Sequence, residues 1–412
     1  MNDILLITIS GADQPGLTAN ITALLAQRDV NILDIGQAVI HDSLSIGVLV
    51  EVPLEQDRPA VVAAISEFAQ SEGLKSRFRD ISPDSYEHWV EGQGRARYII
   101  TLLARKVTAS QLSQVTEVVA RHQLNIDGIS RLSGRIPLGE LPALSKACVE
   151  FSVRGGLLDA DAFRRDLLEV AGALDVDLAF QQDNMYRRNR RLVAFDMDST
   201  LIEAEVIDEL AKAAGVGEQV SAITERAMQG ELDFSESFRA RVGLLKGLDS
   251  STLEQVASQL KITEGAEHLI ATLNALGYKT AILSGGFTYF ARHLQKKLGI
   301  DYVYANDLDI AEGVVTGQVR GEIVDGARKA TLLRQLAAEQ SIDLQQVIAV
   351  GDGANDLPML SIAGLGIAFR AKPLVKQSAE QSISTLGLDA ILYLLGISDR
   401  YVENEDDSPN KT

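Results

Sequence analysis

The chain has 412 residues, 46% of them hydrophobic, with 39 basic against 57 acidic side chains and a formal net charge of −18, so more than one hydrophobic core is expected. The acidic balance argues against a nucleic-acid backbone as partner, which needs a basic face, and no apolar run approaches the ~18 residues of a membrane span. A single cysteine, Cys148, excludes an internal disulfide and points to a reducing cytoplasm, and the start MNDILLITIS lacks the basic and long apolar regions of a signal peptide.

In chain order, DILLITI (residues 3–9) reads as a buried strand, GADQPG as a turn, and LTANITALLAQRD as a helix with apolar residues at helical spacing. VNILDIGQAVI and SIGVLVEV are the next strands, a helix follows near Arg58–Glu72, and then a fourth strand. This β-α-β-β-α-β order is that of the ferredoxin-like split βαβ unit. The pattern recurs in RYIITLLA, QLSQVTEVVARHQ, LNIDGISRL and ACVEFSVRG, at an offset of 94 residues that aligns Asn31 with Asn125. The N-terminal half therefore divides into two similar small domains, 1–85 and 95–182. Between them ISPDSYEHWVEGQG, polar with Pro and Gly, is expected to be a linker. The second copy has KVTAS where the first has DQPGL.

QQDNMYRRNRR (181–191) is polar and basic and marks a boundary. Beyond it, over 185–400, short apolar runs alternate with helical stretches: RLVAFDMD, YKTAILSGG, YVYANDLDI, QVIAVGDG and LGIAF. Such alternation predicts a doubly wound, Rossmann-like α/β sheet. A mostly helical insertion, about 205–261, separates the first two runs, and residues 401–412 read as a solvated acidic tail.

Ligands of an open α/β sheet bind beyond the carboxyl ends of its strands. The first run ends in Asp196 and Asp198, which an extended chain projects to the same side, crowding two carboxylates. Another ends in Ser284-Gly285-Gly286 and a third in Gly351-Asp352-Gly353-Ala354-Asn355-Asp356, while Lys329 opens a predicted helix. Asp196 and Asp352 can share an oxygen-seeking divalent cation such as Mg²⁺. Ser284 and Gly285 let a phosphate approach backbone N–H donors, and a lysine can offset charge moving during phosphoryl transfer. That leaves one aspartate to attack phosphorus and a second to shuttle protons. Each element alone also has a plain reading, as a turn, a helix cap or a solvated lysine. Their conjunction at strand ends favours one site. The five histidines show no zinc spacing, and neither a P-loop nor a G-x-S-x-G elbow is present.

The ordered set DMDST, SGG, a lone lysine and GDGANDLPML resembles the haloacid dehalogenase superfamily of aspartate-dependent phosphatases. Within it, the insertion EVIDELAKAAG…ITERAMQGELDFSESFRARVGLLKGL is similar to the cap of the phosphoserine-specific branch. The resemblance implies Asp196 as nucleophile and Asp198 as the acid and base. It implies Mg²⁺ on Asp196, Asp352 and the backbone carbonyl of Asp198, with Asp356 close by, and phosphate on Ser284, Gly285, Lys329 and Asn355. From the cap it implies Glu205 at the substrate ammonium, Arg241 at its carboxylate, and Met228 and Phe234 over its apolar part. Met197, between the two aspartates, carries no expected role. The two N-terminal copies resemble ACT domains, which implies an amino-acid effector such as serine, with Gly11–Gly16 as a ligand loop, and pairing into a dimer. The alternatives are a related phosphatase for another small phosphate ester, or a non-catalytic amino-acid sensor.

Overall fold

The computed structural model describes residues 3–53, 58–135, 139 and 144–401, and the chain divides into a unit up to Arg95 and a unit from Ala96 on. The acidic tail expected over 401–412 lies outside the described residues except for its first. Among the described residues no helix is long and apolar enough to cross a membrane.

In the first unit, strands β1 (Asp3–Ala12), β2 (Asn31–Ile40), β3 (Ser43–Val52) and β4 (Lys75–Ile81) form an antiparallel sheet in the order β2-β3-β1-β4. Alternation puts Leu5, Ile7 and Ile9 of β1 and Leu44, Ile46, Val48 and Val50 of β3 on one buried face. Helices α1 (Leu17–Ala26) and α2 (Arg58–Ser71) cover that face with Leu17, Ile21 and Leu25 and with Val61, Ile65 and Ala69, spaced four apart along each helix. The stretch expected as a linker is helical. Residues 83–91 form a helix, α3 (Pro83–Glu91), because Ser82 accepts the Ser85 N–H at 3.2 Å and Pro83 occupies the first turn.

The second copy opens the second unit: β5 (Arg97–Ala104), α4 (Ala109–Arg121), β6 (Asn125–Arg131), β7 (Ala147–Arg154), α5 (Ala160–Leu174) and β8 (Asp177–Gln182), with sheet order β6-β7-β5-β8. The repeat is visible in its irregularities. The register slips between Ile32 and Asp34 in β2 and between Ile126 and Gly128 in β6, the same repeat positions. The copies differ in how the first helix starts. Gly16, with φ 94°, precedes α1, whereas α4 begins with a capping box in which Thr108 and Gln111 satisfy each other's backbone N–H.

The remaining sheet has seven strands, in the order β12-β11-β10-β9-β13-β14-β15. They are β9 (Leu192–Phe195), β10 (Lys279–Phe287), β11 (Tyr302–Ala311), β12 (Val314–Arg320), β13 (Val347–Gly351), β14 (Leu365–Phe369) and β15 (Gln381–Ile383). All but β12 run parallel. The chain leaves β9 for β10 on one side and returns to β13 on the other, so the topological switch point falls at the end of β9. Strands β12 and β15 were not expected. The first returns from β11 through Glu312-Gly313, both at positive φ, and the second is only three residues long.

The insertion after β9 is helical as expected: α6 (Val206–Ala213), α7 (Gly217–Met228), α8 (Phe234–Gly243) and α9 (Ser251–Gln259), followed by α10 (Ala266–Ala275). Its two connections pair as a short antiparallel ribbon, with Ile202 bridging Ile262, Glu203 N–H donating to Lys261 at 2.9 Å and Thr263 N–H to Leu201 at 3.0 Å. Helices α11 (Thr288–Leu298) and α12 (Gly326–Glu339) follow β10 and β12.

Two arginines of the basic boundary segment turn inward, while Arg188 and Arg191 are exposed. Arg187 is 1% exposed against Glu150, and Arg190 is buried with a bond to the Gln345 carbonyl. Charged side chains go inside only when partners compensate them. The second small domain also joins the large sheet edge to edge. The Gln381 amide accepts from Phe180 N–H at 2.8 Å and donates to its carbonyl at 2.6 Å, and Asp177 accepts from Ser384 and Thr385 N–H.

Candidate active site

All four residues of β9 are fully buried, so Asp196 is delivered from the middle of the sheet at the switch point. A tight turn follows, in which Ser199 has φ 55° and its hydroxyl donates to Glu205 at 2.7 Å. That turn places Asp198 beside Asp196, with Asp198 accepting from Val206 N–H at 3.4 Å. Met197 is packed in the hydrophobic core, with no exposure.

Strand β10 comes close to this turn. A β-carbon on Gly286 would stand 2.7 Å from Met197 Cε and 2.8 Å from Asp198 Oδ2, so any larger residue must push these side chains aside. Ser284 is fully buried and its Oγ accepts from Gly286 N–H at 2.9 Å. Gly285 lies under Phe234 of α8, whose ring stacks on Phe238 at 6.0 Å between centroids. Asn306 of β11 fixes this end of β10, donating to the Gly285 carbonyl and accepting from Val324 N–H, each at 2.8 Å.

Lys329 sits beneath Asp196, with no exposure, in the first turn of α12, which Asp325 caps by accepting from Arg328 N–H. Its ammonium donates to Asp196 and to Asp356, each at 2.7 Å. The other oxygen of Asp356 accepts from Gly353 N–H at 3.0 Å. Gly351 admits Asp356 because a β-carbon there would meet its carboxyl at 2.4 Å.

Asp196, Asp352 and Asp356 each offer an oxygen within 4.8 Å of the others, and Thr200 Oγ1 reaches Asp352 at 3.4 Å. Burial, then the charge of Asp356, pushes the Asp196 carboxyl up to about 7 despite Lys329. Burial, then Asp196 and Asp356, pushes Asp352 up to about 8. Burial, with Glu205 and Asp196, holds Asp198 well above the carboxylate range. Burial alone would lower the Lys329 ammonium, but Asp196 and Asp356 raise it above the ordinary lysine range. One lysine does not balance these carboxylates. An all-oxygen donor set with surplus negative charge fits a divalent cation, which would restore the ionised state.

Asp196, Asp198, Glu205, Phe234, Arg241, Ser284, Gly285, Asp352 and Asn355 all line one cleft of about 970 Å³. Lys329 and Asp356 lie below its floor. Met228 ends α7, and its side chain falls outside the described residues. Burial raises the Glu205 carboxyl, against the Ser199 hydrogen bond, and burial lowers the Arg241 guanidinium although Asp208 and Glu205 face it. Sequence reasoning missed Asp208 and Lys372, which also line the cleft, and Asn306 and Thr200, which brace it. A lone asparagine inside the apolar YVYANDLDI was the available signal for Asn306.

Residues 190–364 match the haloacid dehalogenase-like hydrolase family, and residues 3–79 and 96–181 each match an ACT-domain family. A phosphoserine phosphatase of Streptomyces coelicolor is 40% identical over 98% of this chain and 94% of its own length. Phosphoserine phosphatase SerB2 of Mycobacterium tuberculosis is 40% identical over 97% of this chain and 95% of its own. Among solved structures, a probable phosphoserine phosphatase from Vibrio cholerae superposes with a TM-score of 0.59 at 37% identity, over 74% of this chain and 87% of that one.

Proposed function

We propose that this chain, which belongs to the haloacid dehalogenase-like hydrolases and carries two ACT domains, is a phosphoserine phosphatase, hydrolysing O-phospho-L-serine to L-serine and phosphate in the last step of serine biosynthesis. The observation that carries this reading is the pairing of two chemistries across one cleft. Acidic strand ends form its floor above a buried lysine, and Glu205 and Arg241 face it from the cap. A zwitterionic amino acid needs one anion and one bidentate cation, which Glu205 and Arg241 supply. The full-length relatives carry the same name.

In this reading an Asp196 oxygen attacks phosphorus, and the phosphorus–oxygen bond to serine breaks as Asp198 donates its proton to the leaving oxygen. The raised Asp198 carboxyl suits a group that must arrive protonated. Water then attacks the aspartyl-phosphate, Asp198 takes its proton, and phosphate leaves with Asp196 restored. Ser284, Gly285 and Asn355 hold the phosphate oxygens, and Lys329 offsets their charge from below. Phe234, with Met228, covers the apolar part of the substrate. We assign Asp196, Asp352 and the Asp198 carbonyl to Mg²⁺, which when bound neutralises charge on the phosphoryl oxygens.

We divide the chain into ACT-like regions 1–85 and 95–182 and a phosphatase region 185–400 with its cap at about 205–261, working in the reducing cytoplasm as a dimer. The ACT regions supply an amino-acid effector site, for which serine, the product, is our candidate at Gly11–Gly16. Calorimetry of the full chain with serine tests that assignment, and absence of heat overturns it. The catalytic reading is tested by phosphate release from a panel of small phosphate esters with Mg²⁺. O-phospho-L-serine should lead, and Arg241→Ala should lose about 10- to 100-fold in kcat/KM for it. Failure to release phosphate from O-phospho-L-serine, with good turnover of another ester, overturns the reading.

A further inference from the structure

The cap is tethered to the hydrolase sheet by the ribbon of Leu201–Glu203 and Lys261–Thr263. The entry limb continues through Ala204 to Glu205, which lines the cleft. A chain of charged side chains runs from the second ACT domain to both limbs. Arg105, just past β5, grips Glu264 with both arms, Nη1 to Oε1 at 2.8 Å and Nη2 to Oε2 at 2.9 Å. Glu264 follows the exit limb by one residue and also accepts from Arg370 Nη2 at 2.8 Å. Arg370 in turn lies 3.6 Å from Glu203 in the entry limb, and Glu203 pairs with Lys261 across the ribbon.

Three further observations set this apart from an ordinary surface ion pair. Arg370 holds φ 45°, a conformation that non-glycine residues keep only when their surroundings impose it. Its N–H donates to Ile383 at 2.7 Å and its guanidinium lies 5.2 Å from the Phe369 ring centre. The next residue after Glu264 is anchored independently. Gly265 packs against Asp389, where a β-carbon would meet the carboxyl at 2.3 Å, and Asp389 is held by Lys146 of the second ACT domain at 2.7 Å. The side chains of Arg105, Glu264, Arg370 and Glu203 are only 20–33% exposed, and bidentate geometry lifts such pairs above the small worth of exposed ones.

We propose that Arg105, Glu264 and Arg370 are positioning residues that hold the cap's hinge ribbon against the second ACT domain and thereby fix Glu205 over the substrate. The inference deepens the phosphoserine phosphatase reading and rests on it for the identity of the substrate. It gives the second ACT domain a mechanical part in substrate recognition, separate from any effector that ACT domains bind.

The test compares full-length Arg105→Ala, Arg105→Lys and Arg370→Ala with the parent chain. Kinetics are read on O-phospho-L-serine and on p-nitrophenyl phosphate, which carries neither ammonium nor carboxylate, and amide exchange is read over residues 201–205 and 261–264. Arg105→Ala should raise KM for O-phospho-L-serine about 3- to 10-fold, leave kcat and p-nitrophenyl phosphate within about twofold, and speed hinge exchange. Arg370→Ala should act in the same direction, and Arg105→Lys should recover only part, since one ammonium cannot copy the fork. Hinge exchange and KM unchanged in both alanine variants would overturn the proposal. Equal losses on both esters with a lowered Tm would overturn it too, as the mark of a merely structural bridge. If the parent chain fails on O-phospho-L-serine, the functional reading falls. Hinge exchange alone then decides whether the ribbon is positioned in this way.

Discussion

The ammonium of Lys329 donates to the Asp196 carboxylate at 2.7 Å from a position with no exposure, 133 residues away in the chain. It makes a second such bond to Asp356, so one cation serves two buried anions. Removing one member of a buried charge group leaves the others uncompensated, which costs about 3–5 kcal/mol. Lys329→Met should therefore lower the unfolding free energy by that order, read as a lower denaturant midpoint, and abolish turnover. Saturating Mg²⁺ should recover part of the stability and none of the activity. A midpoint unchanged from the parent chain would show that the lysine carries no such charge burden.

The division of labour between Asp196 and Asp198 separates two steps. p-Nitrophenolate leaves without a proton, so Asp198→Asn should still form the aspartyl-phosphate from p-nitrophenyl phosphate. Hydrolysis then lacks its base and should slow by about 10²- to 10⁴-fold. Rapid mixing should show a burst of about one equivalent of nitrophenolate and then a stall. Asp196→Asn should show no burst and no acid-precipitable phosphate label. A linear trace without a burst from Asp198→Asn would remove the base assignment.

Metal and pH are linked through the acidic cluster. Without a cation, the carboxyls of Asp196 and Asp352 titrate near 7 and 8, above the ordinary 3.8. The folded chain then binds more protons than the unfolded chain between those values. Metal-free stability should fall as pH rises from about 4 to about 8. A divalent cation must displace those protons, so stabilisation by saturating Mg²⁺ should be small near pH 5 and grow toward pH 8. Thermal unfolding with and without Mg²⁺ at the two pH values checks this, and an equal increment at both would contradict it.

Gly286 is the tightest approach of β10 to the acid–base residue. Gly286→Ala puts a methyl 2.8 Å from Asp198 Oδ2 and 2.7 Å from Met197 Cε. The alanine variant should lose about 10-fold or more in kcat, since displacing a reacting group by a fraction of an ångström is enough. Adding Met197→Ala relieves one contact and leaves the other, so it should restore stability more than rate. Wild-type kcat in the single variant would show that Asp198 has room to spare.

Much of this site was legible because its parts fall at strand ends, where a run of apolar residues stops on Asp196, Ser284 or Asp352. The periodic helices and the 94-residue repeat were legible for the same reason, as local patterns. What resisted reading depends on long-range partners. A single lysine in a helix carries no local sign that it will be buried between Asp196 and Asp356. Nothing local shows that Arg187 and Arg190 are buried, because Glu150 and the Gln345 carbonyl lie far off in the chain. Asp208 was passed over as one acid among several in EVIDE, although only the fold turns it toward Arg241. Helix α3 was the opposite case, since Ser82 and Pro83 announced it and polarity masked them.

The amide of Gln381 stands in for a missing strand where β15 meets β8, offering one donor and one acceptor to the Phe180 backbone. Genetic modules and physical modules therefore part company in this chain. A fragment beginning near residue 185 would strip that amide and the Ser384 and Thr385 N–H groups of their partners. It would also leave β15 as a bare sheet edge, the kind of surface that recruits other chains. Anyone trimming the protein to its catalytic part should cut ahead of Ala96, where that unit begins, and keep the second small domain as part of the catalytic body.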